Sequence, residues 1–360
     1  MCQSGNSNNH FMRKEESKMN ATTIGLDIAK MVFQVHGVDR AGKTVLRKRL
    51  NRPQVLAFFA NLPPAVIGLE ACAGAHYWAR ELQQMGHDAR LIAPQFVKPY
   101  VKGNKNDAND AEAICEAVSR PSMRFVPLKS PEQQDIQMLH RVRQNLVKQR
   151  TAAANQTRGL LGEYGLVVAQ GLGQLRRRLP EILEDAENGL SPLARRVFAD
   201  SYDRLVDLDR QIKAYQNQIE TLCQQSPACQ KLLAIPGIGP ITATALVAAL
   251  GDGQAFENGR QVAAWMGIVP RQDSSGGKAR LLGISKRGDT YLRTLLIHGA
   301  RAVVRTAGRK DDAQSRWINA LVQRRNANIA AVAVANKTAR TIWAMLTRGE
   351  DYRAPLAQVA

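Results

Sequence analysis

Thr22-Thr23-Ile24-Gly25-Leu26-Asp27 is an apolar run of core-strand length that stops on an acid. A second run, Ala65-Val66-Ile67-Gly68-Leu69, stops in the same way on Glu70. Two more acids, Asp107 and Asp110, lie three apart in Asn106-Asp107-Ala108-Asn109-Asp110-Ala111, at the start of a helical pattern. Residues three apart on a helix share a face. A carboxylate at a strand end is rigid and half-exposed, which suits a metal site. Four carboxylates from three segments therefore make a candidate site for Mg²⁺, which takes oxygen ligands. A pair of such ions can clamp the attacking and leaving oxygens of a phosphoryl transfer. Each acid alone also has a plainer reading as a strand-end or capping residue. Asp110 is a candidate N-cap, and Glu112 is a spare acid that fits the same scheme.

The segments around these acids alternate strand and helix signals. Residues 32–38 and 44–46 read as strands that pair with the first as a meander. Residues 53–62 and 77–85 read as helices, and residues 89–92 as a further strand. This order implies a mixed sheet with helices on its faces over residues 21–129. Residues 94–105 read as a basic loop that brings Lys98, Lys102 and Lys105 close to the acidic pair. Residues 1–20 are polar and charged and read as a disordered lead, with Met19 as an alternative start.

From residue 130 to 225 the pattern turns helical. Leu205, Leu208, Ile212, Tyr215, Ile219 and Leu222 are spaced 3, 4, 3, 4, 3, a heptad seam, and Leu139, Val142 and Leu146 begin a similar one. Pro180 and Pro192 are expected to break the stretch between. The seam is either an intermolecular coiled coil that joins protomers into a dimer or tetramer, or one side of a helical hairpin within the chain. Residues 226–350 read as a further, mostly helical domain, and residues 351–360 as a tail. Within that domain Ile235-Pro236-Gly237-Ile238-Gly239-Pro240 precedes a helix. A tight turn at Gly237 and Gly239 ahead of a helix N-terminus can hold a phosphate, as in helix-hairpin-helix DNA-binding modules. The plainer reading is an ordinary turn between two helices.

Composition narrows the partner. Among 360 residues, 50 Lys and Arg oppose 31 Asp and Glu, a net charge of +19. Such an excess favours a polyanion, most simply nucleic acid. Aromatic residues are only 5% of the chain, so phosphate contacts fit better than base stacking. Five cysteines with no CxxC pair argue against a disulfide framework or a zinc site. With no signal peptide and no apolar run of membrane length, the chain reads as a cytoplasmic protein of a reducing compartment, acting at the nucleoid.

One more stretch carries candidate chemistry. Pro270-Arg271-Gln272-Asp273-Ser274-Ser275-Gly276-Gly277-Lys278 continues through Arg280 to Lys286, Arg287 and Gly288. It reads as a flexible loop dense in Ser, Gly and cations. A serine flanked by Lys and Arg can attack a phosphodiester while the cations stabilise charge on phosphate oxygens. Its plainer reading is a phosphate-binding loop whose serines only donate hydrogen bonds.

The whole set resembles the insertion sequence 110 family of transposases, and within it the 1111-type subgroup. The resemblance rests on Gly25-Leu26-Asp27-Ile28-Ala29-Lys30, Gly68-Leu69-Glu70-Ala71, Asn106-Asp107 with Asp110-Ala111, Ile235 to Gly239, and Gly267-Ile268-Val269-Pro270-Arg271 with Ser275-Gly276. It implies an α/β plus all-α protein: an RNase H/RuvC-like DEDD domain, a helical coiled-coil middle, and a C-terminal transposase domain. It implies Asp27, Glu70, Asp107 and Asp110 as ligands of Mg²⁺ ions, and Ser275 as nucleophile, with the adjacent Ser274 as the alternative. It also implies double-stranded DNA, both element ends and target, as substrate, and a noncoding guide RNA encoded by the element. Two other functions remain compatible with the residues. One is a metal-dependent junction endonuclease that uses water as nucleophile. The other is a non-catalytic nucleic-acid-binding protein.

Overall fold

The computed structural model describes residues 21–103 and 106–354; Lys105, the lead and the last six residues lie outside them. The chain divides into two compact units between Lys129 and Ser130.

The first unit is built on a six-stranded sheet. Its elements in chain order are β1 (Thr23–Ile28), β2 (Val32–Val38), β3 (Thr44–Asn51), α1 (Val55–Ala60), β4 (Val66–Glu70), α2 (Ala75–Gln84), β5 (Asp88–Ile92), α3 (Pro94–Val97), α4 (Asp107–Val118) and β6 (Phe125–Val126). The spatial order is β3-β2-β1-β4-β5-β6. β1, β2 and β3 form an antiparallel meander, β1, β4 and β5 run parallel, and β6 closes antiparallel on β5. Alternation along the strands sorts the two faces. Ile24, Leu26, Phe33, Val35, Ile67 and Leu69 are buried with Phe59 of α1 and Trp78, Ala79 and Leu82 of α2.

The opposite face is shaped by missing side chains. Gly25 and Gly68 are direct partners across β1 and β4. A Cβ at Gly25 would overlap the backbone of Ala111 and Cys115, and one at Gly68 would come within 2.7 Å of Val118 Cβ. The two glycines form a shallow seat, and α4 lies in it with its backbone almost on the sheet.

Two expectations for this unit change. Residues 94–105 are not simply a loop. Pro94 opens α3, Val97 is buried, and a 3-10 turn, Lys98–Tyr100, follows. β6 was not anticipated, because two residues carry no periodicity to read.

The second unit is mainly helical. It comprises α5 (Pro131–Gly162), α6 (Leu172–Glu184), α7 (Pro192–Gln225), α8 (Pro227–Leu233), α9 (Pro240–Leu250), α10 (Gly259–Trp265), β7 (Pro270–Gln272), β8 (Leu281–Ile284), α11 (Thr290–Ala307), α12 (Ala313–Arg324) and α13 (Ala327–Arg348). Ser130 and Gln133 form a capping box that starts α5, with Pro131 at the first helical position. Pro180 does not break the chain but sits inside α6, whose Leu175, Leu179 and Ile182 are buried. Packing of that apolar stripe outweighs the hydrogen bond that proline cannot make. Pro192, by contrast, opens α7.

The heptad seam of α7 faces its own chain. Leu205, Leu208 and Ile212 share one core with Leu146, Ala154 and Leu161 of α5 and with Leu175 of α6. Arg150 donates to Asp209 at 2.7 Å, and Arg176 pairs with the same carboxylate. The seam thus packs within an intrachain helical pair, the second of its two readings.

A second core holds α8 to α13 together, around Leu232, Leu246, Val262, Leu296, Val334 and Ile342. One buried imidazole ties α5 to this core. His140 Nδ1 lies 2.9 Å from the Tyr291 hydroxyl of α11, and Nε2 lies 3.0 Å from Thr244 Oγ1 of α9. Burial, with the nearby Arg143 charge, lowers His140 to about 4, so it is neutral at pH 7. Among the described residues no helix is long and apolar enough to cross a membrane.

Candidate active site

The acids come together in the first unit. Asp27 lies one residue past the last β1–β4 pair, Leu26 with Leu69, and Glu70 follows Leu69 on β4. The glycine seat brings the N-terminal turn of α4 to the same end of the sheet. Asn106 is the N-cap of α4, accepting from the Ala108 amide at 3.0 Å, which leaves Asp107 and Asp110 in the first turn. Asp110 is therefore not the cap. Two carboxylates there are favoured by the helix dipole.

The other three acids act on Asp27 through their charge. Asp27 is raised from the ordinary 3.8 to about 6, first by burial and then by the charges of Asp110, Asp107 and Glu70. Cys72, two residues past Glu70, is also pushed up, by burial and by Glu70 and Asp27. As the side chains stand, no three His, Cys, Asp or Glu groups among the described residues sit close enough together to hold one ion. The donor set itself, all carboxylate oxygen from rigid supports, suits a hard divalent ion.

Glu112, the spare acid, is occupied elsewhere. It accepts from Arg47 Nη2 at 3.2 Å and lies 3.8 Å from Lys102 Nζ and 3.9 Å from His36 Nδ1. It lines a narrow cleft with Gln34, Arg47 and Asn109. Sequence reasoning missed this basic margin, because β2 and β3 reach α4 only through the register of the meander. Lys98 is exposed on its 3-10 turn, and Lys105 lies outside the described residues.

The serine stretch is more ordered than expected. β7 and β8 pair antiparallel, and a bridge joins Ser275 to Lys278. Gly276 and Gly277 have φ of 55° and 75°, the left-handed pair that a two-residue hairpin turn requires. The expected flexible loop is therefore a hairpin closed by a tight glycine turn. All of residues 271–280 are exposed, as are Lys286 and Arg287. The two serines differ. Ser274 Oγ accepts from the Arg280 amide at 3.1 Å and from Gln272 Nε2 at 3.0 Å. Among the described residues Ser275 Oγ has no hydrogen-bond partner.

Residues 235–238 form a type II turn, with Ile238 N–H donating to Ile235 C=O at 3.0 Å and Gly237 at φ 85°. Gly239 is the N-cap of α9. Gly237 also packs against the backbone of Gly299 on α11, so a structural demand alone accounts for its lack of a side chain.

A mixed sheet with an acidic centre at one end, followed by a helical unit bearing a cationic hairpin, is the plan of a DNA transposase. Residues 24–165 match the DEDD transposase domain of IS110 elements, and residues 229–316 match the "Transposase IS116/IS110/IS902 family". A "Probable family 20 transposase" of Pseudomonas aeruginosa is 55% identical over 93% of this chain and 99% of its own length. The "Transposase for insertion sequence element IS1111A" of Coxiella burnetii is 48% identical over 95% of this chain and 94% of its own. The "Transposase for insertion sequence element IS1328" of Yersinia enterocolitica is 43% identical over 92% of this chain and 98% of its own. The chain belongs to the IS110 family and is a transposase of an insertion element. DNA is accordingly its substrate, and its DEDD-type domain suggests dependence on a divalent metal.

Proposed function

We propose that this transposase cuts and rejoins DNA by serine nucleophilic attack, with Asp27, Glu70, Asp107 and Asp110 holding Mg²⁺, two ions in the full site. The observation that carries the metal reading is the rise of Asp27 under burial and the charges of the other three acids. A cluster of that sign, held on a strand end and a helix N-terminus, is destabilised until a cation neutralises it. Bound there, Mg²⁺ would supply charge neutralisation for a phosphate. The free Oγ of Ser275, beside a Ser274 engaged in the hairpin, supports Ser275 as the nucleophile. A bond forms from Oγ to phosphorus as the bond to the 3′ oxygen breaks. The proton lost by the hydroxyl is balanced by the one the 3′ oxygen takes up. The 5′-phosphoserine ester conserves the bond, so a new 3′ end can rejoin without ATP. Arg271, Lys278, Arg280, Lys286 and Arg287 surround the hairpin as phosphate contacts, and the turn at Gly237 and Gly239 is a backbone grip of the helix-hairpin-helix type. In this reading the first unit is RuvC-like, the working form is a homo-oligomer, and a noncoding RNA of the element guides the choice of sites.

The test is incubation of the full chain with labelled DNA of its element ends, Mg²⁺ and RNA transcribed from the flanking noncoding segment. Denaturing gels and peptide mapping then read the products. A 5′-linked adduct on Ser275 is expected, lost in Ser275→Ala and retained in Ser274→Ala. Asp27→Asn, Glu70→Gln, Asp107→Asn and Asp110→Asn should bind DNA without cutting it. Free 5′-phosphate ends with no adduct in any variant would make the enzyme a water-using endonuclease instead.

A further inference from the structure

The acidic centre continues sideways into a basic margin on the same face of the sheet. Across the meander, Asp27 pairs with Gln34, and Gln34 pairs with Arg49. Directly opposed residues of antiparallel strands point to the same face, as do residues two apart on one strand. Arg47, two residues before Arg49, reaches Glu112 of α4, which fixes that face as the one α4 covers. Gln34 lines the cleft beside α4 as well. Arg49, Gln34, Asp27 and Glu70 thus form one row across four strands. Two strand spacings separate Arg49 from Asp27, about 10 Å, which is the rise of about three nucleotides of one DNA strand.

Charge runs the same way. Between Asp39 and Glu70 the chain has no acid but carries Arg40, Lys43, Arg47, Lys48, Arg49 and Arg52. Arg47 is neutralised by Glu112, whereas Arg49 is exposed and, among the described residues, has no carboxylate partner. β3 is also an edge strand of the six-stranded sheet. Charge on an edge strand also guards against unwanted strand pairing. That role needs no fixed partner, whereas a phosphate contact does.

We infer that Arg49, with Gln34 beside it, is a positioning residue that grips the cleaved DNA strand by a phosphate within about three nucleotides of the one brought to Asp27. The strand then lies along the row, perpendicular to β1, β2 and β3. The inference rests on the carboxylate reading of the site for the place of the cut, but its binding test does not depend on cleavage.

Binding of element-end DNA is measured without metal, in the full-length Asp27→Asn background. Adding Arg49→Ala should weaken binding about tenfold, the weight of one charge-assisted hydrogen bond. It should also make the slope of log K against log salt shallower by about 0.9, one phosphate contact. Arg49→Lys should restore the slope, and Arg47→Ala should move it less. Single methylphosphonates, placed in turn along the cleaved strand, then locate the contact. Neutralising one or two phosphates within about three of the cut should weaken the parent complex and cost nothing further in Arg49→Ala. An unchanged slope in Arg49→Ala, or a coupled phosphate far from the cut, overturns the inference. Cleavage by Asp27→Asn alone overturns the carboxylate reading and leaves the slope result to stand for the basic margin.

Discussion

Replacing Asp27 by asparagine should stabilise the metal-free protein while abolishing strand cleavage. In the folded state this carboxyl is raised from 3.8 to about 6 by burial and by Asp110, Asp107 and Glu70. A raised carboxyl binds its proton more tightly when folded. Its contribution is therefore favourable below pH 3.8 and is lost as pH climbs through about 6. At about 1.4 kcal/mol for each tenfold change in proton affinity, the rise corresponds to about 3 kcal/mol. Asp27 is only half-buried, so water and salt screen part of this, and about 1 kcal/mol is the figure to test. Asparagine keeps the shape and removes the charge. Urea denaturation in EDTA at pH 8 should show the variant more stable by about that amount, and at pH 4 the two proteins should coincide. Mg²⁺ added at pH 8 should stabilise the parent and leave the variant nearly unmoved, since only a bound cation shifts the folding equilibrium. A variant that is no more stable at pH 8, or that gains equally at pH 4, would refute the argument that the four acids strain one another.

Gly25→Ala should cost about 3 kcal/mol or more, read by denaturant unfolding, because its Cβ meets the backbone of α4 rather than a movable side chain. Leu208→Asp should lower stability by about 3 kcal/mol or more, with loss of helical circular dichroism on mild heating. A stable, fully helical variant of lower mass in sedimentation would instead return the seam to a protomer interface. His140, lowered to about 4 by burial and Arg143, holds stability that is present above pH 6.5 and lost as pH falls toward 4. Acid unfolding should thus shift to lower pH in His140→Gln, and an unchanged acid limb would count against the buried imidazole.

The fold of the first unit was legible where the sequence has period and length. The runs ending at Asp27 and Glu70 became β1 and β4, and the meander followed from two more apolar segments. The two-residue β6 carried no such signal. Pro180 misled because a single residue was weighed without the buried stripe around it. The seam of α7 was correctly seen as apolar, but spacing alone does not say which helix answers it. Of the candidate acids, Asp27 and Glu70 stood out because each ends an apolar run, and Asp107 and Asp110 because they lie three apart at a helix start. The margin formed by Gln34, Arg47 and Arg49 did not, since register across three strands decides which of these side chains share a face.

The seat formed by Gly25 and Gly68 bears on how copies of such an element age in a genome. Glycine and alanine codons differ by a single base. One transversion at either position would lift α4 off the sheet and leave every carboxylate codon intact. On the carboxylate reading proposed above, such a copy would look competent to anyone inspecting its acids and would still be a fossil, unable to move unless an intact relative supplied the protein. An inventory of live and dead elements should therefore score these two hydrogens' worth of empty space alongside the charged residues they serve.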